Sequence, residues 1–547
     1  NFTFKNKLIW KVVYNLDLSK ENKNVCYTGI NKGLTEYTET NAAILAENLI
    51  KIDETPQNII SVVEQAAQEA YSVGDNYAYT ELKTIIIDYL EKTTIENKKQ
   101  IKYEIYEDIG KLNFDKKPEE AIKYFTELIK YYEENNNSPK VISLSGFLAK
   151  SFEITGNFAY AVECTDKALE MFDKYAMPYE YALLSYTKLE HLLNLGRFEE
   201  LIVLSKTTVL PELEDIKAHK AEINGFEPYD IDFIEIDTRY ITAKALALQG
   251  NKECLKEAEI LLEMANQRQD NDYAVKSQLI IAHFKTLQGQ NIEIKTILDE
   301  LKNVIPNTKE EVKNYIDWHF VNTLNNLFAK DYGVLKQDLS ELINFVVSTG
   351  AYSYQPLFKA LWGKVLFENN EIARANDIYY ELLNFCSENK LASGALLLWY
   401  LLTETEIKLQ NLDNALSIAE KALEVAKNPT IKNHFFIMLF QKRLAEIHVA
   451  KSELDMAAMY AEQAIQLAQN LDLTLWQVKL SLLCGQIFKM KAIVELNERT
   501  ENTQKAYKMH LEALELVKKI QNTNIVQDIE NSTNELNQFC QKESINV

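Results

Sequence analysis

The chain has 547 residues, with 80 acidic against 59 basic side chains and a formal net charge of -21 at pH 7. That length exceeds what one hydrophobic core serves, and that charge repels phosphate backbones, which argues against direct nucleic-acid binding by these residues. Hydrophobic residues make up 47% of the chain and only 15 Gly and 9 Pro occur, so it has the means to fold nearly throughout.

In chain order, residues 1–50 stand apart from the rest of the chain. Gly29-Ile30-Asn31-Lys32-Gly33 is a close glycine pair but lacks the Lys-Ser/Thr that would complete a phosphate-binding loop. From near Gly74 a turn signature then recurs about every 40 residues between two amphipathic runs, which is the mark of a stacked helical-repeat array. The turns fall at Val73-Gly74-Asp75, Asn113-Phe114-Asp115, Thr155-Gly156-Asn157, Leu195-Gly196-Arg197, Gln249-Gly250-Asn251, Gln288-Gly289-Gln290, Asp331-Tyr332-Gly333, Asn369-Asn370-Glu371, Gln410-Asn411-Leu412 and Lys451-Ser452-Glu453. Between Gly196 and Gly250 the interval stretches and takes in Pro211, Gly225 and Pro228. Residues 51–520 read as the array and 521–547 as a C-terminal capping helix and tail.

Each unit pairs a first helix bearing large apolar residues at i, i+3, i+4 and i+7 with a second helix rich in Ala. Leu148, Ala149 and Phe152, then Gly156, then Ala161 and Ala168 illustrate it. So do Trp362-Gly363 with Leu366, Ala375 and Tyr379, Leu444-Ala445 with Ala457, Ala461 and Ala464, and Cys484-Gly485 with Phe488, Ala506 and Ala513. Tyr106, Ile109, Ala121 and Phe125 form a looser set. This pattern resembles the tetratricopeptide repeat. The resemblance implies an all-α fold, a right-handed superhelical solenoid of about ten to eleven helical hairpins. The lengthened period is similar to that of the repeat regions of bacterial STAND regulators, the maltose-activator type of LuxR protein among them, and of peptide-sensing Rap and PlcR-type proteins. Asn1-Phe2-Thr3-Phe4, with Leu8, Val12, Val13, Tyr14 and Leu16, looks like the end of the winged-helix segment that joins a STAND ATPase to its repeats; an N-terminal capping helix is the alternative. On the first reading, the start at Asn1 marks a piece of a longer polypeptide.

Chemistry-bearing motifs are sparse. The seven His are scattered without HExxH or any Cys/His ligand spacing, and no GxSxG elbow accompanies a Ser or Cys. Cys26, Cys164, Cys254, Cys386, Cys484 and Cys540 lie far apart without a CxxC pair, which suits reduced thiols and a cytoplasmic setting. No apolar run reaches the 18 or so residues of a membrane span and no secretory leader opens the chain. A protein that is not an enzyme is expected, without cofactor or metal.

Tetratricopeptide arrays bind along the inner face of their first helices, and the resemblance places the contact positions two residues before and two after the Leu of the Leu-Gly/Ala pair. Carried over, this names Lys150, Tyr186, Tyr240, Lys244, His283, Lys364, Tyr400 and Glu404, with Asn322 as an approximate counterpart where the signature is lost. Gly146, Glu190, Leu279, Ala360, Lys442, Glu446, Asn325 and Asn326 complete the rows. Tyr beside Lys, His and Asn suits recognition of a protein, a peptide or a small inducer. The competing reading has the Tyr side chains stabilising the superhelix and Lys pairing with Glu across neighbouring repeats. The function expected is a non-catalytic sensor or scaffold region of a larger bacterial signalling or transcription regulator, with a stand-alone adaptor or peptide receptor as the alternative. Lys244→Glu or Lys364→Glu is expected to weaken partner binding without unfolding the chain.

Overall fold

The computed structural model describes residues 42–51, 54–171, 177–219, 228–308, 310–349, 354–520 and 523–542. The segment Asn1 to Leu16, read above as a winged-helix end, lies outside them. Among the described residues the chain is all-α, without strands. Its helices are α1 (Ala42–Lys51), α2 (Pro56–Ser72), α3 (Asn76–Leu90), α4 (Lys98–Asn113), α5 (Pro118–Glu134), α6 (Ser138–Ile154), α7 (Phe158–Glu170), α8 (Pro178–Leu195), α9 (Phe198–Leu204) and α10 (Leu210–Ala218). They continue with α11 (Pro228–Leu248), α12 (Glu253–Arg268), α13 (Asn271–Gln288), α14 (Asn291–Val304), α15 (Glu311–Phe328), α16 (Tyr332–Ser348), α17 (Gln355–Glu368) and α18 (Ile372–Glu388). The last are α19 (Ala392–Lys408), α20 (Leu412–Lys427), α21 (His434–Ala450), α22 (Leu454–Asn470), α23 (Thr474–Val494), α24 (Arg499–Val517) and α25 (Thr523–Lys542). First helices pair with their successors in α2/α3, α4/α5 and α8/α9 and, from α11 onward, in each odd-numbered helix and the next, giving a tetratricopeptide-like array. No helix among the described residues is long and apolar enough to cross a membrane.

The small residue of each signature has a steric cause. A Cβ on Gly363 would stand 2.5 Å from the Tyr379 ring, one on Gly485 2.5 Å from the His510 ring, and one on Gly110 2.8 Å from the Phe125 ring. In these three hairpins the first helix therefore lies against a large side chain of its second helix, and only glycine leaves room. Ala445, Ala457, Ala461 and Ala464 close the α21/α22 hairpin in the same way, all fully buried.

Most of the hairpin turns place one residue in the left-handed region. Gly74, Gly156, Gly196, Gly250 and Gly289 supply it with φ between 71° and 87°. Later turns do without glycine: Lys330, Asn370, Gln410 and Ser452 take φ from 60° to 66°. The turn expected at Asp331-Tyr332-Gly333 is thus centred on Lys330, and Gly333 lies inside α16.

The stretched interval after Gly196 also has a local cause. The second helix of that hairpin runs through a π-helical turn, Ser205–Val209, into α10, with Pro211 at the second residue of α10. Proline supplies no backbone N–H and crowds the preceding turn, and the wider π turn accommodates it. Ser205 hydroxyl, 2.6 Å from that of Thr242, ties this bend to α11.

The chain forms two compact units, residues 1–155 and 156–547. In the second unit the array winds back onto itself. A Cβ on Gly196 would meet the Ser393 backbone N at 2.6 Å, and one on Gly250 or Gly289 would meet the Cβ of Phe435 or Leu475 at 3.0 Å, so each of these three hairpins packs against the one five places later. At the middle contact the Gln249 side-chain amide donates to the carbonyls of Ile431 (3.2 Å) and Lys432 (3.1 Å). Phe435 N donates back to the Gln249 carbonyl at 3.0 Å, and the Asn433 amide donates to the Leu248 carbonyl at 3.2 Å. Lys432 pairs with Glu199 at 2.9 Å. About five hairpins therefore complete one superhelical turn here.

Candidate functional site

Most of the predicted contact residues fall in the second unit on its first helices, in two groups of different character. Lys150 lies in α6 of the first unit, where its ammonium pairs with Glu153 at 2.9 Å.

The first group is built by α8, α11, α13 and α15. The Tyr186 hydroxyl donates to one oxygen of Asp237 (2.7 Å) and the Tyr273 hydroxyl to the other (2.8 Å), which holds a buried carboxylate between two phenols. Burial raises the Asp237 pKa against these two donors, and Glu190 adds to the rise. Three residues along the same face of α11, Tyr240 lies near Asp317. The Lys244 ammonium donates to Asp317 (2.7 Å) and to the Tyr240 hydroxyl (3.1 Å). Burial alone would depress the lysine, but Asp317 outweighs it and keeps the ammonium charged. His283 packs edge-on against Phe320, with ring centroids 5.5 Å apart. Burial, and then Lys244, push its imidazole down to about 4, so it is neutral at physiological pH. Asn322 is half-buried on α15. Lys276 on α13 bridges Asp272 (2.8 Å) and Glu310 (2.7 Å).

The second group is built by α17, α19 and α21. Lys364 pairs with Glu368 (2.6 Å) and Glu404 (2.7 Å), and Glu404 with Arg443 (3.0 Å). Arg443 continues to Glu446 (2.8 Å), which Lys442 also meets. The guanidinium lies over the Tyr400 ring, 4.2 Å from its centroid. Burial would push the Glu404 carboxyl up, yet Arg443 and Lys364 prevail and hold it down at about 2. This ladder of three cations and three carboxylates is electrically closed.

The first helices thus bring Tyr186, Tyr240, Lys244 and His283 into one neighbourhood, and Lys364, Tyr400 and Glu404 into another. Asp237, Tyr273, Asp317 and Arg443 belong with them but were missed. Asp237 lies three residues before Tyr240 on the same helical face, so extending each row by one turn would have found it. Arg443 adjoins Lys442, a position already on the row. The pairing bears on one expectation: Lys244→Glu would set a second carboxylate against Asp317, and Lys364→Glu one against Glu368 and Glu404. Both reversals perturb the fold as well as the face.

The half-buried Cys164 and the buried Cys254, Cys386 and Cys484 suit packing: burial pushes Cys164 and Cys386 up to about 11, and Cys254 and Cys484 up to about 12. Among the described residues no group of three or more His, Cys, Asp or Glu could hold a metal ion.

No protein-family model matches the chain, and no curated protein matches it. Among solved structures it is similar to a crystal structure of a Rap protein complexed with competence and sporulation factor, at 10% identity, covering 66% of this chain and 99% of that one with a TM-score of 0.42. It is also similar to the APC/C heterotetramer Cut9–Hcn1, at 13% identity, covering 87% and 98%, with a TM-score of 0.35. At these values neither likeness bears on what the chain binds.

Proposed function

We propose that the chain is a non-catalytic binding scaffold, the sensor region of a larger cytoplasmic bacterial regulator of the STAND type, taking a protein, a peptide or a small inducer on the inner face of its first helices. One observation carries this reading: Tyr186, Asp237, Tyr240, Lys244, Tyr273 and His283 gather on that face around polar groups, where an array held by packing alone needs only apolar side chains. A ligand there exchanges hydrogen bonds with groups already fixed in place, so little ordering is lost on binding. It acts as a signal only by favouring one packing of the array over another.

A peptide library displayed on phage and panned against the purified chain tests the reading. Selected peptides are expected to bind with affinity that falls about tenfold or more in Tyr240→Phe and His283→Asn, a loss of about 1.4 kcal/mol. Binding indifferent to both substitutions would remove the inner face from consideration. A phosphate-binding loop and a helix-turn-helix encoded upstream of Asn1 would support the regulator context, and an immediate start codon would count against it.

A further inference from the structure

Asp237 on α11 is a buried carboxylate that no cation of the described residues meets. It is 7% exposed and accepts from the hydroxyls of Tyr186 on α8 and Tyr273 on α13, at 2.7 and 2.8 Å. The carboxylates beside it are matched: Lys244 pairs with Asp317, and Lys276 with Asp272 and Glu310. In the second group Glu404 and Glu446 likewise rest on Arg443 and on lysines. Burial pushes the Asp237 pKa up, the two phenols offset part of this, and Glu190 adds more than Lys276 removes. Buried charges are ordinarily paired, so this one is short of a counter-ion. An ionised carboxylate has about four acceptor positions, and the phenols fill two of them.

A second, independent feature lies roughly two helical turns further along α11, around Lys244. His283 is 9% exposed, and neither of its ring nitrogens has a hydrogen-bond partner among the described residues, although Lys244 and Asp317 both act on it. Neutral at physiological pH, the imidazole offers one N–H donor and one bare acceptor nitrogen. The Tyr354 hydroxyl stands in the same field of Lys244 and Asp317 and also lacks a partner among the described residues. An anionic ligand would add repulsion to Asp237 and Glu190. An apolar one would leave Asp237, His283 and Tyr354 dry and unpaired.

We infer that the ligand of this site is an organic cation, whose ammonium or guanidinium group is received by the Asp237 carboxylate between Tyr186 and Tyr273. This rests on the binding site proposed above and names the chemistry that the site selects. The cation takes the open acceptor positions of the carboxylate, and the bare nitrogen of His283 accepts an N–H from the same molecule beside Lys244. A Lys or Arg side chain or the N-terminus of a peptide supplies such a group, and so does a small free amine.

The test takes the peptides selected above and resynthesises each with norleucine for its lysines, citrulline for its arginines and an acetylated N-terminus. Affinities of charged and neutral forms are measured by titration calorimetry on the full chain and on Asp237→Asn. The charged forms are expected to bind the unaltered chain about tenfold or more tighter, and Asp237→Asn to cut that preference to about twofold or less with the helical signal intact. Should Asp237→Asn fail to fold, Glu190→Gln replaces it, half-buried on α8, with the preference falling about threefold. Titration with 1,4-diaminobutane separates the sources. Saturable binding that Asp237→Asn abolishes supports the inference with a small amine as ligand, and charge-dependent peptide binding without it supports a peptide. Peptides that weaken in Tyr240→Phe and His283→Asn yet bind equally in both forms would overturn this inference and leave the binding site standing. A charge preference unchanged in Asp237→Asn would also overturn it. Peptides indifferent to Tyr240→Phe and His283→Asn, with no binding of the diamine, would remove the site and the inference together.

Discussion

Arg443 and Glu404 show how neighbouring first helices of the second unit are held. Arg443 is almost wholly buried and rests on two carboxylates and a tyrosine ring, so its removal leaves Glu404 without its main counter-charge and Glu446 with Lys442 alone. Arg443→Met is expected to cost about 3–5 kcal/mol, the usual consequence of breaking one side of a buried pair, measured by urea unfolding. Glu404 adds a pH dependence with a definite sign. Its folded pKa, about 2, lies below the ordinary carboxyl value of 4.5, so its contribution is complete above 4.5 and is lost as pH falls toward 2. Stability measured across that window is expected to fall with acid, with a shallower slope in Glu404→Gln. An equal slope in both would show that other carboxylates govern acid unfolding.

At the scale of the hairpin, one residue type serves two different ends. Gly156 and Gly196 both take a left-handed turn, at φ of 77° and 76°, but only Gly196 has backbone against it. Alanine at Gly156 carries the left-handed penalty of about 1–2 kcal/mol. At Gly196 the same change also forces Ser393 N away from 2.6 Å, so a loss larger by about 1–3 kcal/mol is expected from the added crowding. Denaturant midpoints of the two variants compare them directly. Equal losses would mean that the contact with Ser393 yields freely.

At the scale of the molecule, the seam changes how the second unit should unfold. An open repeat array couples only neighbours, whereas Gln249, Asn433 and Phe435 join hairpins five places apart. Gln249→Ala is therefore expected to speed amide hydrogen exchange at the end of α11 and at the start of α21 together, while α17 and α18 keep their protection. Faster exchange in α11 alone would show that the seam transmits little.

The helical repeat, its period of about 40 residues and its glycine and alanine contact positions were legible along the chain, because a helix repeats every 3.6 residues and a hairpin's two stripes must face each other. The row carrying Tyr186, Tyr240, Lys244, His283, Lys364, Tyr400 and Glu404 came from the tetratricopeptide resemblance, carried over position by position. What these side chains meet could not be read that way. Lys244 finds Asp317 and Tyr186 finds Asp237 across separate first helices, and Gly250 finds Phe435 only after the array has wound once around. Periodicity sets the direction in which each residue points along its own helix. The pitch of the superhelix, a sum of small rotations between hairpins, decides which distant residues arrive opposite one another, and only the folded chain performs that sum.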